Sequence, residues 1–313
     1  QDVQGEAYEY PEIFFEETIH EIRTIHPDPK QISIAAENLK NSKQPIIISG
    51  GGVLYSEAEE EISSFAKKHN IPVISTVMGI GSMHKDDPFY IGATGGLGEG
   101  SANNLSRDTD LALAIGTKLA DFTTASWTNF QNENFKLVSV NTSRFDTVKH
   151  RAFPVVSDAK IGLKELSKAL GDWKAPNGWY QRAIEEKNKW EEYVAKESGP
   201  TNQELPSYAH AVGAVYRNSD PSDIVVTAAG GLVGEVVQIW KPKEINTFET
   251  EWGFSCMGYE ISGALGIKMA KPDQDVVVFV GDGSYLLQNS DIYSSVLYDK
   301  KLIIVVCDNG GHM

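Results

Sequence analysis

Two short polar segments carry most of the chemistry this sequence offers. Gly281-Asp282-Gly283-Ser284 follows the apolar run VVVFV, and Asp308-Asn309 follows LIIVVC, with about two dozen residues between them. A strand, a helix and a second strand of that combined length form a parallel crossover. Both segments then lie side by side at the carboxyl edge of one sheet, where open α/β sheets bind their ligands. Asp282 supplies a carboxylate and Asn309 an amide oxygen, hard donors suited to Mg2+. That ion takes one or two protein oxygens and completes its octahedron with substrate phosphates and water. Gly281 and Gly283 let backbone N–H groups approach such phosphates, and Ser284 adds a donor at the helix start. Gly-Asp-Gly alone is frequent in turns; the fixed spacing to the second segment makes the pattern specific.

Other glycine-rich places read differently. Gly50-Gly51-Gly52 stands between a strand and a helix, yet Tyr55 occupies the third glycine position of a dinucleotide fingerprint. Ser75-Thr76 stands where the ribose-binding acid belongs, so a tight strand-to-helix turn is expected. The run GATGGLGEG (92–100) matches no phosphate loop, because the chain contains no Gly-Lys-Ser/Thr. It is expected to be a flexible connection. His20, His26, His69, His84, His150 and His210 are scattered without metal-ligand spacing and read as surface or helix-end residues; His312 adjoins the second polar segment.

The elements that position these residues alternate. PIIIS (45–49), IPVIS (71–75), LALAI (111–115), LVSV (137–140) and Val155-Val156 read as strands, with helical patterns such as 56–69 and 158–170 between them. Ser56 and Asp158 are the expected N-caps. Apolar strands separated by helices predict an α/β fold with a parallel sheet covered on both faces. Residues 171–205, with Pro176 and a charged helical stretch at 179–196, interrupt that rhythm and read as a linker helix. A second α/β run begins near Tyr208. The expected organisation is an arm over 1–25, a Rossmann-like α/β domain over 26–170, the linker, and a second parallel three-layer domain over 206–313.

The 313 residues are 41% hydrophobic and 23% charged, an ordinary globular composition large enough for two cores. Lys and Arg number 28 against 43 Asp and Glu, a net charge of −15. Such a surface repels nucleic acid and anionic lipid, so neither is an expected partner. No apolar stretch reaches membrane-spanning length, and the acidic amino-terminal segment lacks a signal pattern. Cys256 and Cys307 both lie in apolar segments, which argues against a disulfide framework or zinc site. A cytoplasmic location is expected.

The paired segments resemble the thiamin-diphosphate motif of the acetolactate synthase and pyruvate decarboxylase superfamily, GDG followed after about two dozen residues by Asn-Asn. The resemblance implies a diphosphate-binding domain preceded by a middle domain. It also implies Mg2+ held by Asp282, Asn309 and the Gly311 carbonyl, and thiamin diphosphate as cofactor. Asp308 departs from the motif, where the first Asn usually stands. GFSCMGYEISGALGIKMAKP (253–272) is similar to the segment preceding GDG, which makes Met257 the residue wedged between the cofactor rings. The turn Ala229-Gly230-Gly231-Leu232 matches the loop lining diphosphate and pyrimidine. Within the superfamily, the amino-terminal segment, GTKLADFTTASWTNFQN, SVNTSRFD and EWGFSCMGYEISG resemble the branch that hydrolyses a C–C bond in a cyclic 1,2-diketone of myo-inositol breakdown. That branch implies a small-molecule diketone substrate and a homo-oligomer, at least a dimer, with the site shared between subunits. The pyrimidine-binding domain and its activating glutamate are absent from this chain. The chain is therefore expected to be part of a longer polypeptide and inactive alone. Another carboligase or decarboxylase of the superfamily, or a non-catalytic nucleotide-binding module, are the alternative readings.

Overall fold

The computed structural model of the protein describes residues 2–311, so His312 lies outside the described residues. The first domain is built on six parallel strands, β1 (Pro45–Ser49), β2 (Val73–Ser75), β3 (Tyr90–Ala93), β4 (Leu111–Ile115), β5 (Lys136–Asn141) and β6 (Phe153–Val156), in the order β3-β2-β1-β4-β5-β6. The short α1 (Asp2–Gly5) lies in the exposed amino-terminal arm, and the helices that follow are α2 (Pro29–Asn41), α3 (Gly51–Tyr55), α4 (Glu59–His69), α5 (Gly100–Asp108), α6 (Asp121–Thr124), α7 (Arg144–Thr147), α8 (Ala159–Leu170) and α9 (Asn177–Glu197). The central strands are runs of Ile, Leu and Ala buried along their whole length, as a sheet covered on both faces requires. Odd and even positions divide between the layers. Ile47, Leu111 and Leu113 pack with α2, α4 and α8, and Ile46, Ile48, Ala112 and Ala114 pack with α5 and α9.

The second domain comprises α10 (Tyr208–Arg217), β7 (Ile224–Thr227), α11 (Leu232–Ile239), β8 (Phe248–Thr250), α12 (Tyr259–Ala270), β9 (Val276–Gly281), α13 (Asp282–Leu287), α14 (Ser290–Leu297) and β10 (Ile303–Cys307). Its parallel sheet has the order β10-β9-β7-β8. Val225, Val277 and Phe279 face a core that also takes in Val77, Ile80 and Ala93 of the first domain. Val226, Val276, Val278 and Val280 face α12. A shared core, rather than a tether, therefore joins the two domains. The buried Glu99 carboxylate pairs with Lys241 across the join, and Phe122 meets Trp252 edge-on at 5.5 Å.

Several expectations need correction. The helix expected over 56–69 is two helices. Ser56 ends α3, Glu57 sits at φ +48, and Ala58 precedes α4. Asp158 does cap α8, accepting from the Ile161 N–H at 3.1 Å. The linker helix α9 packs on the first domain through its amino-terminal half, the buried Trp179 indole donating to the Pro45 carbonyl at 2.9 Å, while Val194 near its end packs against the second core. GATGGLGEG is a packed turn, not a flexible one. A Cβ on Gly95 would meet the Phe122 carbonyl oxygen at 2.3 Å, and one on Gly98 the Ala93 oxygen at 2.6 Å. His69 ends its helix but is wholly buried, and Cys256 is exposed. The arm carries exposed Ile13, Phe14, Phe15, Ile19 and Ile22. Among the described residues, no helix is long and apolar enough to cross a membrane.

Candidate functional site

Three loops meet at the carboxyl edge of the second sheet, after β7, β9 and β10. Cys307 pairs with Gly281 at the end of the β9–β10 ladder. Asp282 and Asp308 therefore leave the sheet from adjacent strand ends, about 4.8 Å apart in the pairing direction. β9 lies between β10 and β7, so the Ala228–Gly231 loop borders the same place. The chain runs from β7 to β8 on one side and then crosses to β9 on the other. That reversal of strand order opens a crevice of the kind that holds ligands in α/β sheets.

The side chains converge as well. The phenol of Tyr208, the first residue of α10, feels the charge of this edge. Burial, then Cys307 and the acids, pushes this phenol up, while the Asn309 amide pulls the other way. Asp308 turns one carboxylate oxygen into its own loop, accepting from the Gly310 N–H at 2.8 Å. Asn309 Oδ1 accepts from the Gly311 N–H at 3.3 Å and keeps a lone pair free.

The glycines separate into two kinds. A Cβ on Gly50 would lie 2.4 Å from the Gly116 carbonyl oxygen, and one on Gly52 would lie 2.6 Å from the Gly116 Cα. Those glycines are demanded by loop-against-loop packing, in keeping with a tight turn. Around Gly230, Gly231, Gly281, Gly310 and Gly311, by contrast, a Cβ would meet nothing within 4 Å. Gly230, Gly310 and Gly311 also have positive φ, of 78°, 81° and 149°, a backbone that favours glycine. Gly281 has φ −74°, open to any residue. Packing within the chain gives no reason for glycine there, whereas open space at three adjoining loops suits a ligand drawn close to backbone.

Comparison with known proteins bears on both domains. Residues 32–166 match the central domain of thiamine pyrophosphate enzymes, and residues 228–313 match their C-terminal TPP-binding domain. The chain belongs to the thiamine pyrophosphate enzyme family. It is 36% identical to a 3D-(3,5/4)-trihydroxycyclohexane-1,2-dione hydrolase of Geobacillus thermodenitrificans over 99% of this chain and 52% of that protein. Proteins of the same name from Clostridium tetani and Lacticaseibacillus casei are 36% and 35% identical over the same shares. The chain spans about half the length of these curated relatives.

In this member of the family, two of the site candidates have buried side chains. Leu232 is buried in the interdomain core, so only its backbone faces the loop. Ser284 is 4% exposed; its hydroxyl donates to Glu260 Oε2 at 2.8 Å and is already committed, which corrects its assignment as a free donor. Met257, expected to wedge between cofactor rings, is 40% exposed on its loop, and a residue filling the core would be covered. Gly258, beside it, has φ +94, and a Cβ there would strike Gln288 Cβ at 2.3 Å. Sequence reasoning missed Tyr208 and Glu260. Tyr208 sits at a linker end, with no local pattern to mark it. Glu260 looks like an ordinary first-turn acid; the one signal was a carboxylate amid residues that are otherwise apolar or small.

Proposed function

We propose that the protein carrying this chain uses thiamin diphosphate and Mg2+ to hydrolyse a C–C bond in a cyclic 1,2-diketone, converting trihydroxycyclohexane-1,2-dione to 5-deoxy-glucuronate in myo-inositol catabolism. The observation that carries the reading is the convergence of the Asp282 and Asn309 loops on one sheet edge, fronted by glycines that no packing requires. The names of the relatives supply the substrate. Among the described residues, no three His, Cys, Asp or Glu side chains gather to hold a metal. Mg2+ here would draw on Asp282, the Asn309 amide and the Gly311 carbonyl, and phosphate oxygens and water would fill its remaining positions.

Gly230, Gly231 and Gly281 leave room for the diphosphate against backbone N–H groups, and Gly283 belongs to the same proposed cradle. The Leu232 N–H and the first turn around Ser284 would border the same space, and Met257 would be the residue set against the rings. The cofactor, when bound, acts as the electron sink for the cleaved bond. The chain's own part is to fix the diphosphate, orient the rings and keep Asp308 folded back from the phosphate charge.

A homo-oligomer belongs to the same proposal. Leu286, Leu287, Tyr293, Val296 and Leu297 form an exposed apolar face on α13 and α14 beside the site, and patches of that kind mark association surfaces. The cytoplasm is the proposed location. The failed fingerprint at Gly50 counts against the nucleotide-module reading, and packing of Gly50 and Gly52 against Gly116 accounts for those glycines without a ligand.

The test is calorimetric titration of thiamin diphosphate with and without Mg2+, with Asp282→Asn beside wild type, followed by a diketone hydrolysis assay on the intact protein. Expected are Mg2+-dependent binding, its loss by about tenfold or more in Asp282→Asn, and turnover of the diketone. Binding indifferent to both Mg2+ and Asp282 would overturn the cofactor assignment; binding without diketone turnover would overturn the substrate.

A further inference from the structure

We infer that Glu260 is the positioning residue of the cofactor site, a buried carboxylate that ties three of its loops into one unit. The inference rests on the thiamin-diphosphate reading for its ligand, but its geometry stands in the chain alone. Glu260 is fully buried at the start of α12. Its Oε1 accepts from the Ala229 N–H at 3.2 Å, in the loop after β7. Its Oε2 accepts from the Gly258 N–H at 2.9 Å, beside Met257, and from the Ser284 hydroxyl at 2.8 Å, two residues beyond Asp282. The Gly258 N–H also reaches Ser284 Oγ at 2.7 Å, closing a triangle. No Lys, Arg or His pairs with this carboxylate among the described residues.

A buried carboxylate without a cation is costly unless hydrogen bonds satisfy it, and here all three donors come from loops that border the candidate site. Helix packing alone would be served as well by leucine. What the carboxylate adds is a single acceptor on which the glycine turn, the Met257 loop and the Asp282 helix must all register. Groups that orient metal and cofactor ligands from behind typically change affinity by about 10–100-fold when altered.

Glu260→Gln keeps the shape but turns an amide donor toward one of these donors, so at least one contact is lost. The measurements are amide hydrogen exchange by NMR without ligand, calorimetric titration with Mg2+–thiamin diphosphate, and thermal unfolding, on wild type, Glu260→Gln, Ser284→Ala and the double variant. Expected in Glu260→Gln is faster exchange at both Ala229 and Gly258, with affinity down about tenfold or more and partly restored by excess Mg2+. Ser284→Ala should lose less, and the double variant should bind no worse than Glu260→Gln, because the two share one network. A merely structural Glu260 would lower the unfolding temperature and leave affinity unchanged; that result, exchange changes confined to one loop, or multiplying losses in the double variant would overturn the inference. If Glu260→Gln does not fold, Ser284→Ala decides by the same readouts. Wild type that fails to bind Mg2+–thiamin diphosphate would defeat the cofactor reading instead, and the exchange at Ala229 and Gly258 would then decide the coupling on its own.

Discussion

Replacing Gly281 by alanine separates a glycine kept for a ligand from one kept for packing. Gly281 has φ −74° and ψ 156°, a conformation alanine adopts freely, and a Cβ there meets nothing within 4 Å. With no strain and fewer unfolded states, Gly281→Ala should stabilise the free protein by about 0.4–1 kcal/mol. In a domain of this size that amounts to an unfolding temperature a few degrees higher. Ligand response should move the other way. A ligand at a hundred times its dissociation constant adds about 2.7 kcal/mol to stability. If the Cβ weakens binding tenfold, that gain at the same concentration falls to about 1.4 kcal/mol. Gly52→Ala is the contrast: its Cβ would lie 2.6 Å from the Gly116 Cα, and overpacking of that kind costs about 1–3 kcal/mol. Thermal unfolding of both variants, with and without Mg2+–thiamin diphosphate, gives all four numbers. A Gly281→Ala protein that binds like wild type shows that the space belongs to no ligand. One that loses stability like Gly52→Ala shows that the glycine is there for packing.

Two further outcomes follow from buried charge. Burial, opposed by the Trp173 carbonyl and assisted by Lys68 and Lys174, holds His69 below its ordinary value. The unfolded chain therefore binds the proton first, and the His69 contribution is intact above about pH 6.5 and lost as pH falls through the lower folded value. Urea unfolding of wild type should weaken over that interval while His69→Gln shows a flatter profile; parallel profiles would refute it. At the domain join, Glu99 is 3% and Lys241 22% exposed, and Glu99 also accepts from the Ala93 N–H at 2.9 Å. Glu99→Gln, by leaving a buried cation unpaired, should cost about 3–5 kcal/mol, and adding Lys241→Met should recover much of it. A loss under about 1 kcal/mol by denaturant unfolding would place the domain join in its apolar core instead.

The central strands were legible because their residues are apolar without interruption, which only a sheet covered on both faces accommodates. PIIIS, LALAI, IVVT and VVVFV all became strands close to the expected limits. Two of the four edge strands were not. β3 is Tyr-Ile-Gly-Ala and β8 is Phe-Glu-Thr, too short and mixed to show a period, and held by the neighbour they pair with. The break between α3 and α4 also lay outside local pattern. It depends on Glu57 adopting φ +48, a conformation that non-glycine residues seldom take. Of the candidate site, what sequence spacing could set was the pairing of strand ends, with Gly281 of the first segment opposite Cys307, the residue before Asp308.

What sequence could not assign was direction. Ser284, Leu232 and Glu260 all carry groups that suit a ligand or a core, and the type of residue does not say which way it points. The structure divides them by what is already satisfied. The Ser284 hydroxyl has an acceptor, Glu260 has three donors, and Leu232 has a core. Asp282, half-buried, has no side-chain hydrogen bond or ion pair of this kind among the described residues. A buried polar group whose needs are met inside the protein is scaffolding, and an oxygen donor left facing open space beside unforced glycines is where a ligand adds most. By that criterion the proposed site lies at the carboxyl ends of β7, β9 and β10, and the residues that tie those loops together lie one layer beneath it.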